Sequence, residues 1–261
     1  MHSESKTKIE KCCKIENGVD KDAVLIVGVA NAGLVGNISA MHVIEKLGLE
    51  EVAHIHSSIF PPVSVFMDGI LKHPFRIYAD VDGNPVKTIV ATSELPLNKE
   101  NFHEIAHVLV NYAEELKVKN IVALVGFPVQ EMIEDIDVFF AAEPEIFDRL
   151  KNIDDLKPLP KGMIYGLEAL ILNETLERHL DGFCLITPVK DGLPATKAAA
   201  AQIKAINKIF DFINVDVNEL LERDKFLQEK LRELAEQIRR SQEPDQYMQP
   251  QAPRNANNLF T

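Results

Sequence analysis

The residues His103, Glu104 and His107 form the pattern that most directly indicates metal chemistry. On a helix, two histidines at this spacing lie on one face and can bind zinc, while the intervening glutamate serves as a general base. A metallohydrolase is therefore one hypothesis. The apolar stripe of the predicted helix, however, leaves both histidines facing solvent. The extended pattern also requires Gly and His where this chain has Val110 and Ala113. We therefore favour solvated helix residues and expect no catalytic residues and no metal ligands.

A second candidate for chemistry is the glycine-rich turn at residues 28–36 (GVANAGLVG). Glycines between a strand and a helix allow the backbone to approach a phosphate at the helix N-terminus, as in dinucleotide-binding proteins. The similarity is partial, because Ala30 replaces the second glycine and the next strand ends in Ser57 and Ser58 rather than an acidic residue. We favour a packing role for these glycines. Nucleotide or anion binding remains the alternative.

The elements that position these residues alternate between strands and helices. Continuous apolar runs predict strands at 23–29, 52–59, 75–79, 86–92, 120–125, 138–142 and 182–187. Apolar residues at helical spacing predict helices at 34–47, 98–116, 167–180 and 194–210. Residues 82–84 (DGN) predict a hairpin between the third and fourth strands. The expected fold class is α/β, a three-layer sandwich with a mostly parallel central sheet flanked by helices.

We expect this α/β domain to span residues 21–215, preceded by an N-terminal extension at residues 1–20. Residues 216–241 predict an amphipathic helix whose apolar positions are Leu220, Leu227, Leu231, Leu234 and Ile238. This heptad-like spacing fits either a coiled coil that joins copies of the chain or a helix packed on its own domain. Residues 242–261 are rich in Pro, Asn and Gln, which predicts a disordered tail.

Composition narrows the classes of function. The chain has 40 acidic and 28 basic residues and a formal charge of −12, which disfavours nucleic-acid binding. No apolar run approaches the roughly 20 residues of a membrane-spanning helix, and the polar start lacks the apolar stretch of a signal peptide. Cys12, Cys13 and Cys184 do not form a disulfide framework, so we expect reduced thiols. These features predict a cytoplasmic protein without membrane association or a cofactor.

Four short segments together resemble the archaeal branch of the PAC2 family, whose members are relatives of proteasome assembly chaperones. The segments are residues 31–36 (NAGLVG), 60–64 (FPPVS), 93–96 (SELP) and 192–195 (GLPA). Their order and spacing carry the resemblance, which spans residues 24–218. The resemblance implies a three-layer α/β domain without established enzyme chemistry.

The same resemblance assigns a role to the C-terminus. Some archaeal members end in a hydrophobic residue, a tyrosine and any residue, a motif that docks between α-subunits of the 20S proteasome. Leu259, Phe260 and Thr261 resemble this motif, with Phe260 in the tyrosine position. The missing hydroxyl removes one hydrogen bond, worth about 0.5–1.5 kcal/mol. Several tails on one homo-oligomer would raise the affinity through multivalency. The resemblance therefore implies a proteasome assembly chaperone or proteasome-binding adaptor.

Overall fold

The computed structural model describes residues 7–13, 15–58, 60–82, 85–95, 97, 99–131, 135–190 and 195–223. The strands are β1 (Thr7–Lys11), β2 (Val19–Val29), β3 (Glu50–Ser57), β4 (Val65–Met67), β5 (Ile70–Lys72), β6 (Phe75–Ala79), β7 (Val86–Ser93), β8 (Asn120–Val129), β9 (Val138–Ala142), β10 (Leu156–Pro158) and β11 (Asp181–Lys190). The helices are α1 (Val35–Leu47), α2 (Phe102–Glu115), α3 (Pro144–Leu150), α4 (Leu167–Arg178) and α5 (Thr196–Ile209).

In the described part of the chain, nine strands form one mixed sheet in the order β1-β3-β6-β7-β2-β8-β11-β9-β10. The four central strands, β7, β2, β8 and β11, are parallel to one another. Strands β1, β3 and β6 add to one side in antiparallel pairs, and β9 pairs antiparallel with β11 on the other. The predicted parallel arrangement therefore describes the centre of the sheet, whereas the outer strands make the whole sheet mixed. The predicted hairpin pairing of β6 with β7 is confirmed.

Two apolar layers cover the opposite faces of the sheet, which confirms the predicted three-layer α/β fold. Neighbouring residues of β2 point to opposite faces, as the alternation of a strand requires. Leu25 packs in the cluster that includes Ile105 of α2, whereas Ile26 packs in the cluster that includes Ile203 of α5. Helices α1 and α5 therefore lie on one face, and helices α2 and α4 lie on the other.

Strand β1 and the C-terminal ends of β8 and β11 were not predicted from the sequence. Strand β1 lies within the segment assigned to an N-terminal extension, and it pairs with β3 along its whole length. Strands β8 and β11 continue past the predicted ends at residues 125 and 187. Gly126, Pro128 and Pro188 look like strand breakers in the sequence. Pro128 is tolerated because β8 pairs only with β11 at that level.

The described part of the C-terminal helix comprises residues 218–223. Leu220 is buried in the core cluster shared with α1 and α5, so this end of the helix packs on its own domain. Leu227, Leu231, Leu234, Ile238 and the terminal residues Leu259 to Thr261 lie outside the described residues. Within the described part of the chain, none of the helices combines the length and apolarity that crossing a membrane requires.

Candidate functional site

The glycine-rich turn holds α1 directly against β2. A Cβ atom added to Gly28 would lie 2.2 Å from the carbonyl oxygen of Gly36 and 2.7 Å from Cβ of Ala40. Gly33 has a φ of 63°, a left-handed conformation that favours glycine, and its carbonyl accepts a hydrogen bond from the Ala195 amide at 2.9 Å. These contacts support the packing role of the glycines.

Asn31, two residues after the end of β2, connects the turn to β8 through its side chain. The β2–β8 pairing ends at Val27 and Ala123. Beyond that point, the Asn31 side-chain amide donates to the carbonyl oxygen of Leu124 at 2.7 Å. Its side-chain oxygen accepts from the Gly36 amide at 3.2 Å. The Asn31 side chain thus satisfies a backbone group of β8 that β2 has left unpaired, and it ties the turn to the start of α1.

A crevice lies at the carboxyl ends of β8 and β11, beside Asn31 and Ala32 of the turn. The chain leaves β2 towards β3 on one side of the sheet and leaves β8 towards β9 on the other, which makes the boundary between β2 and β8 a topological switch point. Open α/β sheets generally bind ligands there. The crevice has a volume of about 790 Å³. Its apolar lining includes Val125, Phe127, Phe139, Leu159, Met163, Ile164 and Ile186.

Glu168 is the buried carboxyl group of this crevice. It lies in the first turn of α4, is 4% exposed, and accepts a hydrogen bond from the Asn31 amide at 3.1 Å. Burial raises its pKa, although bonds from its own backbone amide and from Asn31 act in the opposite direction. Asp135, Asp137 and Lys161 also line the crevice, and Asp137 forms an ion pair with Lys157 at 2.7 Å. This lining suits an apolar molecule with an N–H donor better than a phosphate.

The two histidines of the zinc-protease pattern are exposed on α2, as the sequence predicted. His107 Nδ1 lies 3.1 Å from the guanidinium of Arg178 and 3.4 Å from Oε1 of Glu174, so this histidine belongs to an ion-pair network between α2 and α4. Glu104 accepts a hydrogen bond from the Thr7 hydroxyl at 2.5 Å, so its carboxylate connects α2 to β1. Among the described residues, no third ligand joins His103 and His107 in a cluster that could hold a metal ion.

The start of the C-terminal helix is anchored beside α1. The ring Nε2 of His42 lies 2.7 Å from the carbonyl oxygen of Asp216. Lys46 forms an ion pair with Glu219 at 2.7 Å. Together with the buried Leu220, these contacts fix the start of the C-terminal helix on the α/β domain. The predicted docking residues that follow lie outside the described residues.

The sequence matches the model of the PAC2 family over residues 25–235. The chain belongs to the PAC2 family. This confirms the resemblance drawn from residues 31–36, 60–64, 93–96 and 192–195. The match begins in β2 and extends past the anchored start of the C-terminal helix, so it includes both the crevice and the anchor.

Solved structures share the PAC2 fold of this chain. A protein of unknown function from Thermoplasma acidophilum is 33% identical, with a TM-score of 0.71, and the alignment covers 88% of this chain and 91% of that one. Pyrococcus furiosus PbaA, an archaeal homolog of proteasome-assembly chaperone, is 24% identical with a TM-score of 0.78, covering 90% and 94%. Pyrococcus furiosus PbaB, an archaeal proteasome activator, is 22% identical with a TM-score of 0.76, covering 88% and 99%.

The packing role of Gly28 predicts a large loss of stability in Gly28→Ala. The added methyl group would meet the backbone of Gly36, which cannot rotate away, so we expect a cost of at least about 1–3 kcal/mol. Gly48→Ala is the control, because no atom lies within 4 Å of its Cβ position and only its φ of 62° is strained. Urea unfolding measures both variants. A Gly28→Ala protein as stable as wild type would contradict the close contact.

The buried Glu168 predicts a pH-dependent effect of Glu168→Gln. Because burial raises the folded-state pKa, the wild-type protein loses stability as pH rises from the unfolded-state value of about 4.3 through the folded-state value. Glutamine still accepts the bond from Asn31 but does not ionise. The stability of the variant relative to wild type should therefore increase as pH rises from about 4.3 through the folded-state pKa of Glu168.

Glu177→Gln on the exposed side of α4 is the control for loss of charge at Glu168. Urea unfolding across the pH range gives the free energies of both variants. A difference between Glu168→Gln and wild type that falls as pH rises would contradict the assigned direction of the pKa shift.

Proposed function

We propose that this chain is a non-enzymatic, proteasome-associated chaperone or adaptor that acts as a homo-oligomer. In this proposal Leu259, Phe260 and Thr261 dock into pockets of the 20S proteasome α-ring. The observation that carries it is PAC2 family membership together with the fold shared with PbaA and PbaB. PbaA is an archaeal homolog of proteasome-assembly chaperone, and PbaB is an archaeal proteasome activator.

The C-terminal sequence supplies the chemistry for docking. Leu259 and Phe260 offer apolar side chains for insertion, and the terminal carboxylate of Thr261 offers an anion for a basic partner group. The anchor at Leu220 supports the proposal because it gives the segment leading to the tail a defined origin on the body. A tail of three residues binds weakly alone, whereas several tethered tails can multiply affinity by about 10²–10⁴.

The exposed hairpin β4–β5 supports self-association. It forms a separate two-stranded sheet, and Phe66, Ile70 and Leu71 are 71%, 63% and 74% exposed on it. Contiguous exposed apolar side chains mark interaction surfaces more often than isolated ones do. We assign this hairpin to the contact between copies of the chain, which would place several tails on one particle.

The rival hypotheses lack such support in the described residues. The proposed zinc-binding histidines face solvent beside Arg178 and have no third ligand there. The glycines of the turn at residues 28–36 are explained by backbone contacts, and the Gly36 amide that could meet a phosphate already donates to Asn31. We therefore advance neither a metallohydrolase at His103 and His107 nor a nucleotide-binding function.

Deletion of residues 259–261 tests the docking function. We expect binding to immobilised 20S particles, measured by surface plasmon resonance, to fall below detection, because the apolar side chains are lost. Phe260→Tyr restores the hydroxyl and should tighten each tail roughly two- to tenfold, from the value of one hydrogen bond. Thr261→Ala keeps the terminal carboxylate and serves as the matched control. Undiminished binding by the truncated protein would rule out docking through the tail.

Paired Phe66→Ser and Leu71→Ser substitutions test the oligomer contact. Light scattering coupled to size-exclusion chromatography should show an oligomer for wild type and a smaller species for the double variant, because the apolar contact is removed. Leu176→Ser is the control, since Leu176 is 54% exposed on α4, away from the hairpin. An oligomer that keeps its mass in the double variant would place the contact elsewhere. A monomeric wild-type protein would remove multivalency from the proposal.

A further inference from the structure

Three potential metal ligands converge where the chain leaves β1 and crosses β3. Cys12 follows the last residue of β1, and both Glu51 and His54 belong to β3. The thiol of Cys12, a carboxylate oxygen of Glu51 and a ring nitrogen of His54 all lie within 4.8 Å of one another. The backbone amide of Cys12 donates to the carbonyl oxygen of Val52 at 2.8 Å, which holds the cysteine against β3.

We propose that Cys12, Glu51 and His54 bind a divalent transition-metal ion, with zinc the expected ion and water in the fourth position. The Cys12 Sγ to His54 Nδ1 distance is 3.3 Å. Two ligands at zinc–sulfur and zinc–nitrogen bond lengths in a tetrahedron are separated by about 3.3–3.7 Å. A carboxylate oxygen of Glu51 lies within 4.8 Å of both of these atoms and completes the set. Thiolate, imidazole and carboxylate together suit zinc, whereas magnesium and calcium prefer oxygen ligands alone.

The groups around the cluster orient its ligands. His54 Nε2 lies 3.3 Å from Oε2 of Glu10, which directs the ring proton to Nε2 and leaves Nδ1 free to bind the metal. The ring of His73 stacks on that of His54, with centroids 3.5 Å apart and planes 2° apart. Lys72 lies 3.1 Å from Oε2 of Glu51, so this ion pair opens when the carboxylate binds the metal. Metal-binding histidines commonly have a carboxylate partner, as His54 has in Glu10.

A metal binds the thiolate of cysteine and the neutral imidazole of histidine, so zinc competes with protons at both groups. Binding forms the zinc–sulfur bond and releases the thiol proton to solvent, and the affinity for zinc should therefore rise with pH.

The proposed ion would join β1 to the sheet at its outer edge. Strand β1 has a single neighbour, β3, and its end carries Cys12. An ion bound by both strands stabilises the folded state by mass action, so zinc should raise the melting temperature of the protein. This site lies at the β1 edge of the sheet, where β6, β7 and β2 separate it from β8 and the crevice. The proposed metal binding does not depend on proteasome binding.

Cobalt and zinc binding by the full-length chain test the site. Addition of Co²⁺ should produce the near-ultraviolet absorption of a cobalt–thiolate bond, and protein loaded with zinc and desalted should retain one ion per chain by elemental analysis. Cys12→Ser should abolish the thiolate band and lower zinc affinity at least tenfold. His54→Ala should do the same, and circular dichroism checks that both variants fold.

Two control variants keep the test specific. Cys13→Ser removes the neighbouring thiol of the same turn and should leave both signals unchanged. His107→Ala should also leave them unchanged, which separates this cluster from the histidine pair on α2. The proposal is overturned if wild-type protein retains no zinc and shows no thiolate band. It is equally overturned if Cys12→Ser keeps both signals, or if the signals depend on His107 rather than on Cys12.

Discussion

The direct backbone contact between α1 and β2 is the constraint on which the rest of the domain depends. Because Gly28 and Gly36 have no side chains, the helix lies closer to the strand than any larger residue would allow. This contact places Asn31 beside β8, where its amide bonds to Leu124 and Glu168. Asn31 also lines the crevice at the carboxyl ends of β8 and β11. A change at either glycine would therefore disturb the core and the crevice together.

Apolar patterns were sufficient to predict the elements that are buried on both sides. Strand β2 belongs to this class, since its buried residues are consecutive, whereas α2 was predicted from the apolar stripe of an amphipathic helix. Strand β1 was missed because Ile9 is its only apolar residue. Its place in the sheet depends on β3, whose Ser57 lies opposite Thr7 although 50 residues separate them. Local sequence does not contain such a pairing.

The same distinction applies to the candidate sites. Asn31 lies in a segment that carried the family resemblance, but its partners Leu124 and Glu168 are 93 and 137 residues away. The Cys12–His54 contact spans 42 residues and joins two strands, so no motif spacing reveals it. The histidine pair on α2 is the opposite case. Its local spacing matches a zinc-binding pattern, but in the folded chain His107 contacts Arg178 of α4. The docking motif at Leu259 to Thr261 stays a prediction from the terminal residues and the family resemblance, because these residues lie outside the described part of the chain.

The central claim is that a PAC2 body with an anchored C-terminal helix presents its tails to the proteasome. Cryo-electron microscopy of the full-length chain mixed with 20S particles tests this most directly. The account predicts additional density above the α-ring, with Leu259 and Phe260 filling pockets between adjacent α-subunits and the chain leading back to the body near Leu220. Particles with empty pockets and no density above the ring, under saturating concentrations of this protein, would contradict it.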